Sequence, residues 1–153
     1  MRKKNLLRLL TVMIVAILSV GFVSCGDDDV DETINVNSYI IGTWKSFKAT
    51  GYAQGESVTL NISKNGENSE AYVELVFNSD GTVIGSNWQQ DSYGASRWVS
   101  EKGNYIVKGN IVDITFSDGT ASLVFDTSDR TLCMRGVEKV NGTNITINIF
   151  FRK

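Results

Sequence analysis

Residues 144–151 constrain this chain more than any other stretch: Ile145, Ile147, Ile149 and Phe151 alternate without a break with Asn144, Thr146, Asn148 and Phe150. A period of two puts successive side chains on opposite faces of an extended strand, so one face here is apolar and the other mostly polar. That pattern calls for a half-buried antiparallel sheet. It recurs in Ala71, Val73, Leu75 and Phe77, in Val112, Ile114 and Phe116, and in Ala121, Leu123 and Phe125. No stretch after residue 38 carries a 3.6-residue period. Proline is absent, so chain reversals fall to Gly, Asn and Asp. Asn65-Gly66, Asp80-Gly81, Gly109-Asn110, Asp118-Gly119 and Asn141-Gly142 suit turns that need positive φ, and Gly94 marks another. The spacing predicts strands over 42–50, 56–62, 71–78, 82–91, 96–108, 110–117, 120–127, 130–139 and 143–152. Joined by nearest-neighbour hairpins they make an all-β, antiparallel up-and-down meander. Eight or nine such strands close into a barrel, which removes exposed edges. A β-sandwich is the alternative, because periodicity does not separate the two.

Composition removes several function classes. The 153 residues include no histidine, so no His-based triad, general base or metal ligand is available. Residues 1–24 hold four basic groups and no acid, leaving eleven basic and seventeen acidic groups from Cys25 onward. Five of those acids, Asp27, Asp28, Asp29, Asp31 and Glu32, follow Cys25 almost directly, and the rest of the chain is close to neutral. Without a basic stripe, nucleic acid is not an expected partner.

The front end has its own logic. Met1–Arg8 is basic, and Leu9–Val23 is apolar apart from Thr11, Ser19 and Gly21. A bilayer-spanning helix takes roughly 20 apolar residues, so this stretch fits a signal peptide better than a permanent span. Phe22-Val23-Ser24-Cys25 resembles a lipobox, the site of lipoprotein signal peptidase. The resemblance implies a signal peptide over 1–24, lipidation of Cys25 and a lipidated acidic tether over 25–38; an ordinary signal peptide or an uncleaved helix is the alternative. Cys25-Gly26-Asp27-Asp28-Asp29 is similar to the acidic run of Bacteroidota-type lipoproteins, which implies an outer-membrane location and display on the cell surface. Read by charge alone, the run is a solvated spacer that self-repels and holds a domain off a membrane; a periplasm-facing protein is the alternative location.

Within residues 39–153, Gly42-Thr43-Trp44, then Phe77-Asn78-Ser79-Asp80-Gly81-Thr82, then Gly103-Asn104-Tyr105-Ile106-Val107-Lys108-Gly109-Asn110 occur in that order. The set resembles bacterial lipocalin-like lipoproteins. The resemblance implies a lipocalin-like β-barrel in which Gly42 bends the chain into the barrel, Trp44 plugs its closed end, and an arginine near the last strand packs over that ring. Arg152 is placed for this, with Arg135 as second choice. It also implies a non-catalytic binding module for a small apolar ligand.

Little else points to chemistry. Cys133 lies between Leu132 and Met134 and reads as a buried structural thiol, since no histidine can activate it. Glu67, Glu70 and Glu74 flank a turn and a strand face and read as solvated surface. No catalytic residue, metal site or cofactor is expected. The candidate binding residues are Trp88, Tyr93, Arg97 and Trp98, which cluster around Gly94 with amide and hydroxyl neighbours, a mix that suits glycan stacking or a protein contact. The competing reading turns Trp88 and Trp98 inward to pack the barrel. Two function classes therefore stay open: a surface module binding a small apolar or glycan ligand, and a structural or protein-interaction component whose barrel is filled by side chains.

Overall fold

The computed structural model describes residues 35–53, 55–90, 93–140 and 143–153. The expected signal peptide, Cys25 and most of the tether lie outside these residues.

Nine strands form one antiparallel sheet: β1 (Gly42–Ala53), β2 (Glu56–Asn61), β3 (Val73–Phe77), β4 (Thr82–Gln90), β5 (Ser96–Lys108), β6 (Ile111–Thr115), β7 (Thr120–Asp126), β8 (Thr131–Val140) and β9 (Thr143–Arg152). Their order is β2-β1-β3-β4-β5-β6-β7-β8-β9, and pairing of β1 with β9 closes the ring. The fold is the barrel, not the sandwich: an eight-strand closed ring plus β2. All nine strands fall where the alternation and turn signals put them.

β2 and β3 share one edge of β1. β3 pairs with Gly42–Lys45 and β2 with Lys48–Ala53, so the two lie end to end along the same neighbour. The chain leaves the sheet between them as a strap over residues 62–72, which holds a 3₁₀ turn at Ser69–Ala71. A bulge between Ser46 and Lys48 marks the division on β1. Such an extra residue bends a strand and re-aims its neighbours.

A helical turn, α1 (Val36–Tyr39), precedes β1. Asn35 caps it, its side-chain oxygen accepting from Ser38 N–H, and Val36 is buried. The folded part thus takes in residues that the sequence assigns to the tether.

The interior is apolar. Trp44, Phe77, Phe125, Phe151, Ile114, Leu123 and Leu132 are fully buried, and the only buried polar side chains among the described residues are Ser46 and Ser86. Each of these is satisfied: Ser46 Oγ accepts from Val73 N–H at 2.8 Å, and Ser86 Oγ bonds Ser100 Oγ at 2.8 Å. Buried polar groups must be paired in this way to avoid a desolvation penalty.

Candidate functional site: a sealed end and a mouth of two walls

The ladder registers define two ends. In the half that holds the start of β1 and the end of β9, every strand has two neighbours and the ring is complete. In the other half it comes apart. β3 and β4 pair no further than Val73–Asn87, β5 and β6 only over Asn104–Lys108, and β7 and β8 only from Leu123–Met134 to Asp126–Thr131. Beyond those points, residues 88–90 of β4 and 96–98 of β5 pair only with each other, as a two-stranded ribbon, and residues 99–103 of β5 have β4 as their one neighbour. Facing the ribbon stands a four-stranded wall of β2, β1, β9 and β8.

The closed end is sealed by stacked rings. Trp44 is 0% exposed, and its Nε1–H donates to the Ile40 carbonyl at 2.8 Å. Tyr39 and Phe125 lie against it with ring centroids 6.1 Å away, and 5.2 Å from each other. Gly42 has φ +125°, a conformation open to glycine and strained for other residues, which turns the chain from α1 into β1. Trp44 therefore plugs the barrel. The cation over it is Lys153, whose Nζ lies 5.6 Å from the Trp44 ring centre and 4.6 Å from that of Tyr39, and bonds the Tyr39 carbonyl. This corrects the expectation for Arg152. Phe151 faces inward, so Arg152 faces outward, where its guanidinium sits 4.9 Å over Phe47. Arg135 pairs with Asn148 on the outer face and does not substitute for it.

The other two sequence phrases also build this end. Asp80 Oδ1 accepts from Thr82 N–H at 2.9 Å and from its hydroxyl at 2.6 Å, and these bonds hold the Asp80 carboxyl below the usual carboxylate range. Gly81, with φ +82°, completes the turn, and Tyr105 Oη–H donates to the Asn78 carbonyl at 2.8 Å. Gly103 is required for space: a Cβ there would stand 2.4 Å from the Thr115 carbonyl oxygen and 2.7 Å from the Phe116 ring. Gly85 likewise leaves room for Phe116.

The mouth is lined differently on its two sides. On the four-stranded wall, Ile147 is flanked by Gly51 and Gly136, and Ile149 by Ala49 and Met134. Val58, Leu60, Ala53 and Ile145 complete this face and are buried. On the ribbon, Asn87 shares the inward face of Val73, and Val99 lies opposite Asn87. Gln89 and Arg97, the next pair on that face, are exposed. One wall is thus small and apolar inside its rim, the other largely polar, with Arg97 toward its tip.

Trp88 and Trp98 pair with each other one residue out of step with Asn87, on the outer face of the ribbon. This corrects the inward reading. Their ring centroids are 5.4 Å apart, and Tyr72 of the strap lies 5.8 Å from Trp98. Lys64, also on the strap, has Nζ 4.4 Å over the Trp98 ring. The pair therefore anchors the strap to the ribbon. Trp88 Nε1 is buried and has no acceptor among the described residues. Burial together with the neighbouring Glu74 carboxylate pushes the Tyr72 phenol up to about 12. Tyr93 sits at the ribbon tip, 95% exposed. Of the four candidate binding residues, the structure places only Arg97 on the mouth's inner face. Asn87 and Gln89 were among the amide neighbours of that cluster in the sequence; their parity with Val73 was the signal that puts them there.

Cys133 is half-buried, not in the core: it stands between Val124 and Phe150 on the outer face, because Leu132 and Met134 take the inward positions. Among the described residues no group of three potential ligands could hold a metal, and no helix is long and apolar enough to cross a membrane, which says nothing of strands.

A short ring sealed by tryptophan at one end and opening between two walls at the other is the architecture of a small-ligand-binding β-barrel. A family model for the lipocalin-like domain matches residues 40–132, and the chain belongs to that family, a generally non-catalytic binding fold. Among solved structures, apocrustacyanin C1 is 21% identical, with 80% of this chain covering 65% of that one at a TM-score of 0.42. The possum milk whey lipocalin trichosurin, solved with 4-ethylphenol bound, is 10% identical, with 71% of each chain covered and a TM-score of 0.38. Zebrafish ileal bile acid-binding protein complexed with cholic acid is 10% identical, covering 75% of this chain and 98% of that one at 0.29. This chain thus spans about two thirds of the length of apocrustacyanin C1. No curated protein matches the sequence.

Proposed function

We propose that this protein is a lipid-anchored binding protein that takes a small apolar ligand between the walls of its open end. The observation that carries the reading is the four-stranded wall. Its buried positions in this half are apolar, polar groups on that face (Glu56, Thr143) standing only at the rim, and Ala49, Gly51, Ala53 and Gly136 keep it small where the closed end is filled by Trp44, Phe77, Phe125 and Phe151. A structural barrel would be filled to both ends. Apolar pockets with a few placed polar groups are the usual form of a small-molecule site. The glycan version finds less support, since Lys64 occupies a face of Trp98 and the ribbon's outer face carries the strap. The reading involves no catalysis, metal or cofactor.

The same reading has residues 1–24 removed, Cys25 lipidated, and the acidic tether holding the barrel off an outer membrane at the cell surface. What supports it is the sequence alone: the Phe22-Val23-Ser24-Cys25 run and the acids after it. Two acyl chains suffice for stable anchoring.

Native mass spectrometry of the protein purified from its own host tests the ligand. A small apolar molecule retained at one per chain is expected; bare protein under conditions that keep it folded contradicts the reading. Palmitate incorporation that persists in Cys25→Ala would contradict the anchor, and a domain untouched by protease on intact cells would contradict surface display.

A further inference from the structure

The two walls of the mouth differ in a way that specifies more than an apolar ligand. We infer that the ribbon's inner face, Asn87, Gln89 and Arg97, is a head-group site, and that the ligand is an amphipathic molecule carrying one carboxylate. The inference rests on the binding reading above and deepens it.

Three observations carry it. First, the parity is fixed by the ladders. Phe77–Val83, Leu75–Gly85 and Val73–Asn87 are successive pairs on the core face, and Asn87–Val99 and Gln89–Arg97 continue that face beyond the point where β3 ends. Second, this is where the interior changes character. On β3 and on the four-stranded wall, the buried inner positions are apolar except Ser46, which is already bonded, and the polar Glu56 and Thr143 stand only at the rim. Third, Arg97 is exposed, and among the described residues no carboxylate pairs with it. Among the described residues of β5, the acid on the same face, Glu101, is engaged by the N–H and hydroxyl of Ser117.

The chemistry follows from donors and acceptors. Arg97 offers a planar fork that matches a carboxylate with two parallel bonds, and the Asn87 and Gln89 amides add further donors. An apolar body lying on Val58, Leu60, Ile145 and Ile147 would leave its polar end facing the ribbon. A wholly apolar ligand would bury part of that ribbon face without giving its donors a partner, which costs affinity. A carboxylate supplies acceptors for all three side chains.

The test compares two probes of equal chain length on the full lipidated protein, extracted in a neutral detergent and read by native mass spectrometry. Wild type should retain dodecanoate over 1-dodecanol by about fivefold, the upper end of the gain from a charge-assisted pair at an exposed site. Arg97→Gln should bring that preference close to one, chiefly by lowering dodecanoate uptake; Arg97→Lys, which keeps the charge and loses the fork, should fall between. Arg97 is exposed, so these variants fold as wild type does. Equal uptake of the two probes by wild type overturns the head-group site and leaves the binding reading standing, as does an Arg97→Gln variant that keeps the preference. Uptake of neither probe overturns both.

Discussion

At the closed end each strand has two neighbours, large rings fill the interior, and the turns are held by side-chain bonds such as Asp80 to Thr82. At the open end β4 and β5 have only each other, β8 has only β9, and the inner face runs to glycine, alanine and exposed polar groups. The same up-and-down meander builds both. What differs is how far each ladder runs, and this separates stability from binding. The sealed half supplies the packed contacts that hold the fold. The open half gives up ladder partners and large rings, and it is there that the proposed ligand would sit.

Substitutions can break that division, and the largest effect belongs to the closed end. Trp44→Ala removes a fully buried ring and the bond from its Nε1–H to Ile40. It should cost about 3–5 kcal/mol in urea unfolding. A loss under about 1 kcal/mol would mean the plug is not what holds the ring. Gly103→Ala comes next. Its Cβ meets the Thr115 backbone oxygen, which cannot rotate away, so about 1–3 kcal/mol of overpacking is expected.

The open end should respond in the opposite way. Gln89→Ala should change stability by less than about 0.5 kcal/mol while weakening uptake of a carboxylate ligand, because Gln89 is exposed. Equal losses of stability from Gln89→Ala and Gly103→Ala would erase the distinction between the two ends. Lys64→Ala tests the strap: losing a cation over Trp98 should cost about 0.5–1 kcal/mol and shift tryptophan emission.

The smallest effect is one of pH. The Tyr72 phenol is raised from 10.0 to about 12 by burial and by Glu74. A group that keeps its proton longer when folded adds stability below its unfolded value and loses it as pH rises through the folded one. Tyr72 therefore stabilises the fold fully below pH 10.0, and that contribution fades toward pH 12. In a phenolate absorbance titration, Tyr72→Phe should remove the step near pH 12. An unchanged curve would show that Tyr72 is not held as described.

Most of the fold was legible because antiparallel strands with one buried face write a period of two into the sequence, and Asn-Gly and Asp-Gly mark where it reverses. Trp44 was legible through the family resemblance, which implies a ring just after Gly42 at the closed end. The errors came from parity and from cover. Arg152 follows the inward Phe151, so alternation alone turns it outward, and Lys153 is the residue that reaches back over Trp44. Cys133 fails by the same rule. Trp88 and Trp98 looked like core because they are apolar, yet on β4 the inward positions go to Gly85 and Asn87, and the tryptophans are covered from outside by a strap with no periodicity to reveal it. The mouth was the least legible part. Its walls are set by where each ladder stops, which depends on pairing between strands distant in sequence.

Hydrogen exchange across the full-length protein, with and without dodecanoate, tests the division most directly. Amides of the sealed ring should exchange slowest in both states, and added ligand should slow exchange at residues 58–60, 87–99 and 145–149 and nowhere else. Slowing spread evenly over the barrel, or confined to the strap at residues 62–72, would contradict it.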